Sequence, residues 1–392
     1  MRIAAIVAEY NPFHNGHKLH IERTREECDA VVAVMSGNFV QRGDAAVFSK
    51  HSRANAALLN GVDLVVELPP PYSIACAELF AKGAAVTANA LGVVDMLSFG
   101  SEYGSIDMIK KAAEIIESVE FNEKIRALTA FDKSISYPSA MAKAMKNATG
   151  NGDAALLLSG MNNVLGIEYV RALKAIGSGI EPMTVLREKI GHDSREIDSG
   201  FASASLIREQ IYEGAFNRDL VPDNTYSIMC GELEHFAPYR LKNAEKAVVY
   251  KLWQMDGAEW ERLPDMGGGL SSRLVAAAKG VGSLDEFFER AKCKKYTHAR
   301  LRRSLLYAIL GLYEGFGEVE YVRVLGMNGT GKEILRQAKK KCSLPIVIKP
   351  AEINKYANCK LVQRMSQLYA LCSSSGGIRA DAEFTTGPVV IN

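Results

Sequence analysis

Continuous apolar runs separated by stretches of helical period dominate the first half of the chain. The runs Ile3–Glu9, Ala30–Ser36, Val62–Leu68, Val94–Gly100 and Met183–Arg187 predict strands. Between them, apolar positions recur three and four residues apart around His17–Glu27, Arg53–Leu59, Ala75–Ala90, Ile106–Glu117 and Pro138–Ala148, which predicts helices. Strands that are apolar on both faces, alternating with helices, predict an α/β fold whose parallel sheet is covered on both sides. Ligands of such sheets bind beyond the carboxyl ends of the strands. From about Ser205 onward helical periods prevail: Leu206–Glu213, Asn243–Met255, Gly269–Lys279, Asp285–Ala291 and His298–Tyr313. The last stretch returns to a strand-like "YVRVLG", a helix Lys332–Lys341 and then "LPIVI", which reads as a small βαβ annex. The loop "IGHDSREIDSG" is expected to divide the chain into residues 1–200, with the parallel sheet, and 201–392, mostly helical.

Composition narrows the class. With 392 residues and 48% of them hydrophobic, the chain can bury a sizeable core, and two domains are expected. No apolar run approaches the ~18 residues of a membrane helix, and no secretory leader is evident, so a cytoplasmic protein is expected. The seven cysteines are scattered without CxxC pairs, which argues against a disulfide framework and against zinc. A net charge of +2 leaves any nucleic-acid partner to be argued from local patches.

The first chemical signal is "AEYNPFHNGH", where the opening strand gives way to a helix. A helix N-terminus presents unpaired N–H groups and partial positive charge, so it attracts phosphate. Gly16 allows close approach to the backbone, and His14 and His17 can donate to phosphate oxygens. Lys18 follows in the first turn, where a cation is unfavourable unless an anion is bound. A metal site on the two histidines lacks a nearby third ligand. HxGH at the end of a first strand is the signature of the HIGH nucleotidyltransferase superfamily, which displaces pyrophosphate from a nucleoside triphosphate.

The second signal is "FASASLIREQIYEG". It supplies Ser203, Ser205 and Arg208 ahead of a short helix, with Ser205 as its expected N-cap, Arg208 in its first turn and Gly214 as its stop. The resemblance of the first corner to the HIGH superfamily implies a second element that grips the departing pyrophosphate, typically a serine-rich turn ending in a basic residue. His14, His17, Ser203, Ser205 and Arg208 are thus the candidate catalytic residues, with Mg2+ held mainly by the phosphates and no protein metal site.

"AEYNPFHNGH", "MSGNFVQRGDAAVFSKHSRANAALLNGVDLVVELP" and "NNVLGIEYVRAL" together resemble the bacterial tRNA(Met) cytidine acetate ligase family, and the similarity extends to "YTHARLRRSLLY" and "YVRVLG". The resemblance implies a Rossmann-like HIGH-type domain with a mostly helical C-terminal region. It implies that acetate and ATP give acetyl-adenylate, and that the acetyl group passes to the wobble cytidine of elongator tRNA(Met) as N4-acetylcytidine. It places ATP on Val7, Ala8, Glu9, Tyr10, Asn11, Pro12, Phe13, His14, Asn15, Gly16, His17, Lys18, Leu19 and His20, with Gly100, Asn162 and Arg187. Read by itself, Asn162 is equally a helix cap. The chain departs from the family pattern at Met161, where a proline is expected.

For the RNA, residues 291–303, "AKCKKYTHARLRR", carry Lys292, Lys294, Lys295, Arg300, Arg302 and Arg303 around Tyr296 with no local acid. That is an electrostatic footprint for a phosphate backbone, and the alternative is a solvated helix face. "GMNGTGKE" nearly spells a P-loop, but Glu333 stands where a hydroxyl should hold Mg2+, so no phosphate is expected there. No stable protein partner is implied. Two other functions fit parts of this picture: a small-molecule adenylyltransferase using the same corners, and an RNA-binding protein with a vestigial nucleotide fold.

Overall fold

The computed structural model describes residues 1–132, 135, 137–149, 157–158, 160–187, 197, 200–376 and 379–392. Most of the proposed boundary loop "IGHDSREIDSG" lies outside these residues.

Five of the apolar runs form strands close to their expected bounds. In chain order the first half contains β1 (Ile3–Ala8), α1 (Asn15–Arg25), β2 (Ala30–Ser36), the short β3 (Phe39–Val40) and β4 (Asp44–Ala45), α2 (Lys50–Leu59) and β5 (Leu64–Leu68). It continues with α3 (Ala77–Ala90), β6 (Met96–Ser101), α4 (Ile106–Glu117), α5 (Val119–Phe131), α6 (Tyr137–Thr149), α7 (Met161–Ala175) and β7 (Glu181–Leu186). The second half adds α8 (Ala204–Glu213), α9 (Asp223–Leu233), α10 (Glu245–Gln254), α11 (Gly257–Glu261), α12 (Leu270–Ala278), α13 (Leu284–Ala291) and α14 (His298–Leu310). It ends with β8 (Val322–Met327), α15 (Gly329–Lys341), β9 (Ile346–Val347), α16 (Cys359–Leu371), α17 (Ala382–Thr385) and β10 (Val389–Val390).

The main sheet runs β10-β8-β5-β2-β1-β6-β7, with β9 beside β8. Strands β5, β2, β1, β6 and β7 are parallel. The chain winds from β1 outward through β2 to β5, then returns to place β6 on the other side of β1. That reversal opens a crevice at the carboxyl ends of β1 and β6, where a sheet of this kind binds its ligand. The annex expected near the C-terminus is not separate. Its βαβ unit is fused to the sheet, because β8 pairs antiparallel with β5 and every residue of β8 is buried.

A buried charge cluster secures that junction. Lys50 at the start of α2 bonds Glu67 of β5 (2.9 Å) and Glu383 of α17 (2.5 Å). Arg323 of β8 bonds Glu67 (3.1 Å) and also Glu383. All four side chains are 5% exposed or less. Two positive and two negative groups cancel, which is the condition for burying charge at tolerable cost.

A second apolar core lies under the C-terminal helices. Phe39, Ala45, Val47 and Phe48, from the β3–β4 hairpin and the residues after it, enter this core. The hairpin belongs to the stretch "MSGNFVQRGDAAVFSK", so that block of sequence ties the helices to the sheet.

Candidate active site

The crevice beyond β1 and β6 is a cleft with about 1100 Å3 of empty space. Its floor is set by an irregular turn after β1. Tyr10 holds φ at 46°, a conformation L-residues rarely adopt, and such strain clusters at functional sites. The turn is fixed from below by Arg53 of α2, which is 2% exposed. Its guanidinium donates to the carbonyls of Glu9 (2.6 Å), Ser36 (2.9 Å), Phe48 (3.0 Å) and Gly37. One cation thus gathers the ends of β1 and β2 and the stretch after the hairpin.

His14 is the N-cap of α1. Its Nδ1 accepts from the Gly16 N–H (3.0 Å), and the Nδ1 of His17 accepts from the His14 N–H (3.2 Å). The two rings stack with centroids 3.8 Å apart. Because each Nδ1 serves as an acceptor, each neutral ring carries its proton on Nε2. The HxGH spacing therefore builds a reciprocal helix cap from two imidazoles, in the arrangement usually made by Ser and Glu. Gly16 owes its place to this cap. A Cβ there would lie 2.9 Å from His14 Cε1, so the ring, rather than a ligand, excludes a side chain. Gly16→Ala is expected to tilt the His14 ring out of its cap and to weaken ATP binding about tenfold, the weight of a single hydrogen bond, read by isothermal titration. Unchanged affinity would show that the ring accommodates the methyl group.

The second corner joins the first directly. The N-cap of α8 is Ser203, whose side chain accepts from the Leu206 N–H (3.2 Å), and not Ser205 as expected. Capping one residue pair earlier moves Arg208 from the first turn to the second. The long arginine side chain spans the difference: Nη1 donates to the Asn11 carbonyl (2.5 Å) and Nη2 to Ser205 Oγ (3.1 Å). Arg42, from the turn between β3 and β4, donates to the same hydroxyl (2.9 Å). Burial, and then the neighbouring Arg42 charge, push Arg208 below the ordinary arginine value. Gly214 ends the helix at φ 72°, as expected.

Val7, Ala8, Glu9, Tyr10, Asn11, His14, His17, His20, Gly100, Asn162, Arg187, Ser203 and Arg208 all line the cleft. Gly16 and Leu19 line an adjoining pocket. The remaining expected contacts fall elsewhere. Phe13 is packed in the core under the sheet, and Pro12 is buried beside it. Asn15 donates to the carbonyls of Gly200 (2.9 Å) and Asp219 (2.8 Å), tethering α1 to the second half. Lys18 is exposed and lies 3.9 Å from Glu22, a pairing along the outer face of α1 that needs no bound anion.

Asn162 is not the cap of α7; Gly160 is, and Met161 occupies the first helical position, where proline is favoured but not required. The helix start is satisfied instead by Glu102, which accepts from Asn162 N (3.2 Å), Asn162 Nδ2 (2.6 Å) and Asn163 N (3.0 Å). Asn163 Oδ1 in turn accepts from Ser101 Oγ (2.7 Å) and Glu102 N (3.0 Å), locking the end of β6 to α7.

Gln41, Arg42, Phe80, Phe99, Leu165 and Tyr169 also line the cleft and were not singled out from the sequence. Arg42 could have been found from the "QRGD" turn; the aromatic residues carry no local mark that separates them from core. His20 Nε2 shares a hydrogen bond with Ser98 Oγ (3.0 Å), and burial, then Arg187, lower its pKa to about 4, so it stays neutral.

The basic stretch is less bare than its sequence. Arg300 pairs with Asp265 (2.8 Å), and Arg302 with Asp44 (3.2 Å). These carboxylates come from β4 and from the loop between α11 and α12, which corrects the expectation that no acid balances the cluster. Lys295 donates to the Gly268 carbonyl (2.7 Å), and Arg303 is half-buried beside Gly43. Lys292 and Lys294 are exposed. The near P-loop is structural: Asn328 caps α15 through Gly331 N (2.9 Å) and bonds Asp63 Oδ1 (2.9 Å), and Glu333 pairs with Arg336 (2.8 Å).

Among the described residues no group of three metal-ligating side chains occurs, and Glu9 is the one carboxylate lining the cleft. Among the described residues no helix is long and apolar enough to cross a membrane.

A family model described as HIGH Nucleotidyl Transferase matches residues 1–382. The tRNA(Met) cytidine acetate ligase of Thermoanaerobacter sp. (strain X514) is 36% identical over 394 residues, covering 96% of this chain and 97% of that protein. The tRNA(Met) cytidine acetate ligase of Clostridium novyi (strain NT) is 34% identical over 404 residues, covering 100% of each. The crystal structure of Thermotoga maritima TmcAL bound with alpha-thio ATP matches with a TM-score of 0.87 at 29% identity, and the apo form with 0.90 at 30%, each over 100% of both chains.

Proposed function

The chain belongs to the tRNA(Met) cytidine acetate ligases of the HIGH nucleotidyl transferase family, and from that membership we propose the reaction its cleft performs. It activates acetate with ATP to acetyl-adenylate and transfers the acetyl group to the wobble cytidine of elongator tRNA(Met). The observation that carries this reading is the meeting of both corners: Arg208 of α8 bonds the Asn11 carbonyl, three residues before the His14 cap.

Acetate is already ionised at neutral pH, so its oxygen attacks the α-phosphate without a base. The Nε2–H groups of His14 and His17 stabilise charge on the phosphates, and Arg208 and Ser205 receive the leaving pyrophosphate. Arg208, crowded by Arg42 and by burial, gains from an anion at that point. Mg2+, held mainly by the phosphates, would neutralise part of their charge. Asn162, Arg187 and Gly100 border the side of the cleft nearest β6 and complete the nucleotide site.

Lys292 and Lys294 are proposed to meet the tRNA backbone, with Lys295, Arg300, Arg302 and Arg303 shaping the same face. The double variant Lys292→Ala/Lys294→Ala is expected to weaken tRNA(Met) binding and to reduce the salt slope of log K by about 1.8, for two lost phosphate contacts. An unchanged slope in filter binding would take these lysines off the RNA.

The decisive experiment gives purified protein ATP, labelled acetate and tRNA(Met), with tRNA depleted of the methionine species as control. Pyrophosphate release and label in tRNA(Met) alone are expected. Turnover of a small phosphorylated acceptor that ignores tRNA would favour an adenylyltransferase, and absence of ATP binding would favour a vestigial fold.

A further inference from the structure

Transfer from acetyl-adenylate to cytidine needs a step the nucleotide-binding groups do not supply. The exocyclic amine is a weak nucleophile, and its nitrogen must shed a proton as the new bond forms. We infer that Glu9 is the general base that takes this proton, an inference that rests on the ligase reading above.

The argument starts from what the other cleft groups are already doing. His14 and His17 use their Nδ1 lone pairs on backbone N–H groups, which leaves them as donors. His20 is bound at Nε2 by Ser98, and that hydroxyl is itself 2.7 Å from Thr24 Oγ1, which donates to the His20 carbonyl (2.8 Å). That chain of bonds holds the imidazole against Ser98 of β6. Burial raises the phenols of Tyr10 and Tyr169 well above their ordinary value, so neither ionises to accept a proton. Arginines remain protonated.

Glu9 differs from all of these. Its carbonyl is held by Arg53 (2.6 Å) and its Oε1 accepts from the Gln41 N–H (2.8 Å), so the carboxylate is oriented from both ends. Among the described residues Oε2 makes no hydrogen bond and the side chain makes no ion pair. Arg53 lies beneath it, Arg208 on α8, Tyr169 on α7 and Arg42 in the hairpin turn all border the same cleft. A carboxylate here opposes triphosphate binding, so its position calls for work that an amide could not do. After the β- and γ-phosphates leave, that penalty falls.

The balanced step is as follows. The cytidine N4 lone pair forms the N–C bond to the acetyl carbonyl, whose π electrons move to oxygen. The N4 proton passes to Glu9 Oε2. Collapse of the oxyanion breaks the C–O bond to AMP, whose phosphate oxygen keeps the electron pair. Glu9 then releases its proton to water.

The test separates the two half-reactions. Glu9→Gln keeps an oxygen to accept from Gln41 N–H but cannot take a proton. Single-turnover transfer from preformed acetyl-adenylate to tRNA(Met) is expected to fall about 10²-fold or more, and acetate-dependent pyrophosphate release by much less. Glu9→Ala is expected to show the same transfer defect, partly restored by added formate, which no purely structural role would produce. Transfer by Glu9→Gln at the wild-type rate would overturn the proposal. So would equal loss of both half-reactions, which would assign Glu9 to the nucleotide or its Mg2+. If the wild-type protein itself makes no acetyl-adenylate, the ligase reading fails first, and this proposal goes with it.

Discussion

Replacing His17 with alanine is expected to slow acetyl-adenylate formation about 10²-fold or more while leaving the protein folded. His17 supplies two things: an acceptor for the His14 N–H at 3.2 Å and a ring stacked on His14 at 3.8 Å. Losing one cap bond costs about 1 kcal/mol, a small part of the stability of a domain. The chemical loss is larger, because the Nε2–H acts on charge that grows during the displacement. His14 loses its stacking partner as well, so the variant disturbs both donors at once. Stopped-flow pyrophosphate release with saturating ATP and acetate measures the effect, and circular dichroism checks the fold. A variant with wild-type kinetics would remove His17 from the reaction.

The second large effect falls on stability. Glu383→Gln is expected to destabilise the protein by about 3–5 kcal/mol, because it leaves Lys50 and Arg323 buried against Glu67 alone. The pH dependence follows from the same cluster. Burial by itself would raise the Glu383 pKa, but Arg323 and Lys50 more than offset this and hold it at about 2. A carboxyl of an unfolded chain titrates near ~4.3. The folded value is the lower one, so the stabilisation is complete above that unfolded value. It is lost progressively as pH falls from there towards 2. Urea titrations of wild type and variant from neutral pH downward should converge at the acid end. Parallel curves would place the acid sensitivity elsewhere. The consequence reaches beyond the tail, since Glu67 and Arg323 join β5 to β8 and Lys50 begins the helix that carries Arg53 to the floor of the cleft.

Several features were fixed locally and could be read from the chain. Four of the five apolar runs became strands that are largely buried on both faces, and the fifth, β7, closes the sheet as a partly exposed edge. The HxGH cap is written within a single helical turn, since His14, Gly16 and His17 satisfy one another's hydrogen bonds. The stop at Gly214 needs only a residue that tolerates positive φ. Other features depend on groups far apart in sequence. Which strand lies beside β1, and so where the crevice opens, is a property of the assembled sheet. Asp265 and Asp44 neutralise Arg300 and Arg302 only because the fold brings them together, and a local count of charges misses both. Ser205 reads as a cap from its residue type, yet the helix is capped two residues earlier, at Ser203, which frees it to receive Arg42 and Arg208. The same holds for Glu9, whose orientation is set by Gln41 and Arg53. Backbone propensity and capping act over a few residues, so the sequence alone determined the five strands, helices such as α1, α3 and α4, and the HxGH cap, while α5, α9 and α16 carried no pattern strong enough to mark them. Electrostatic pairing and burial act through space, so only the folded chain decided which charges are spent on structure and which face the substrate.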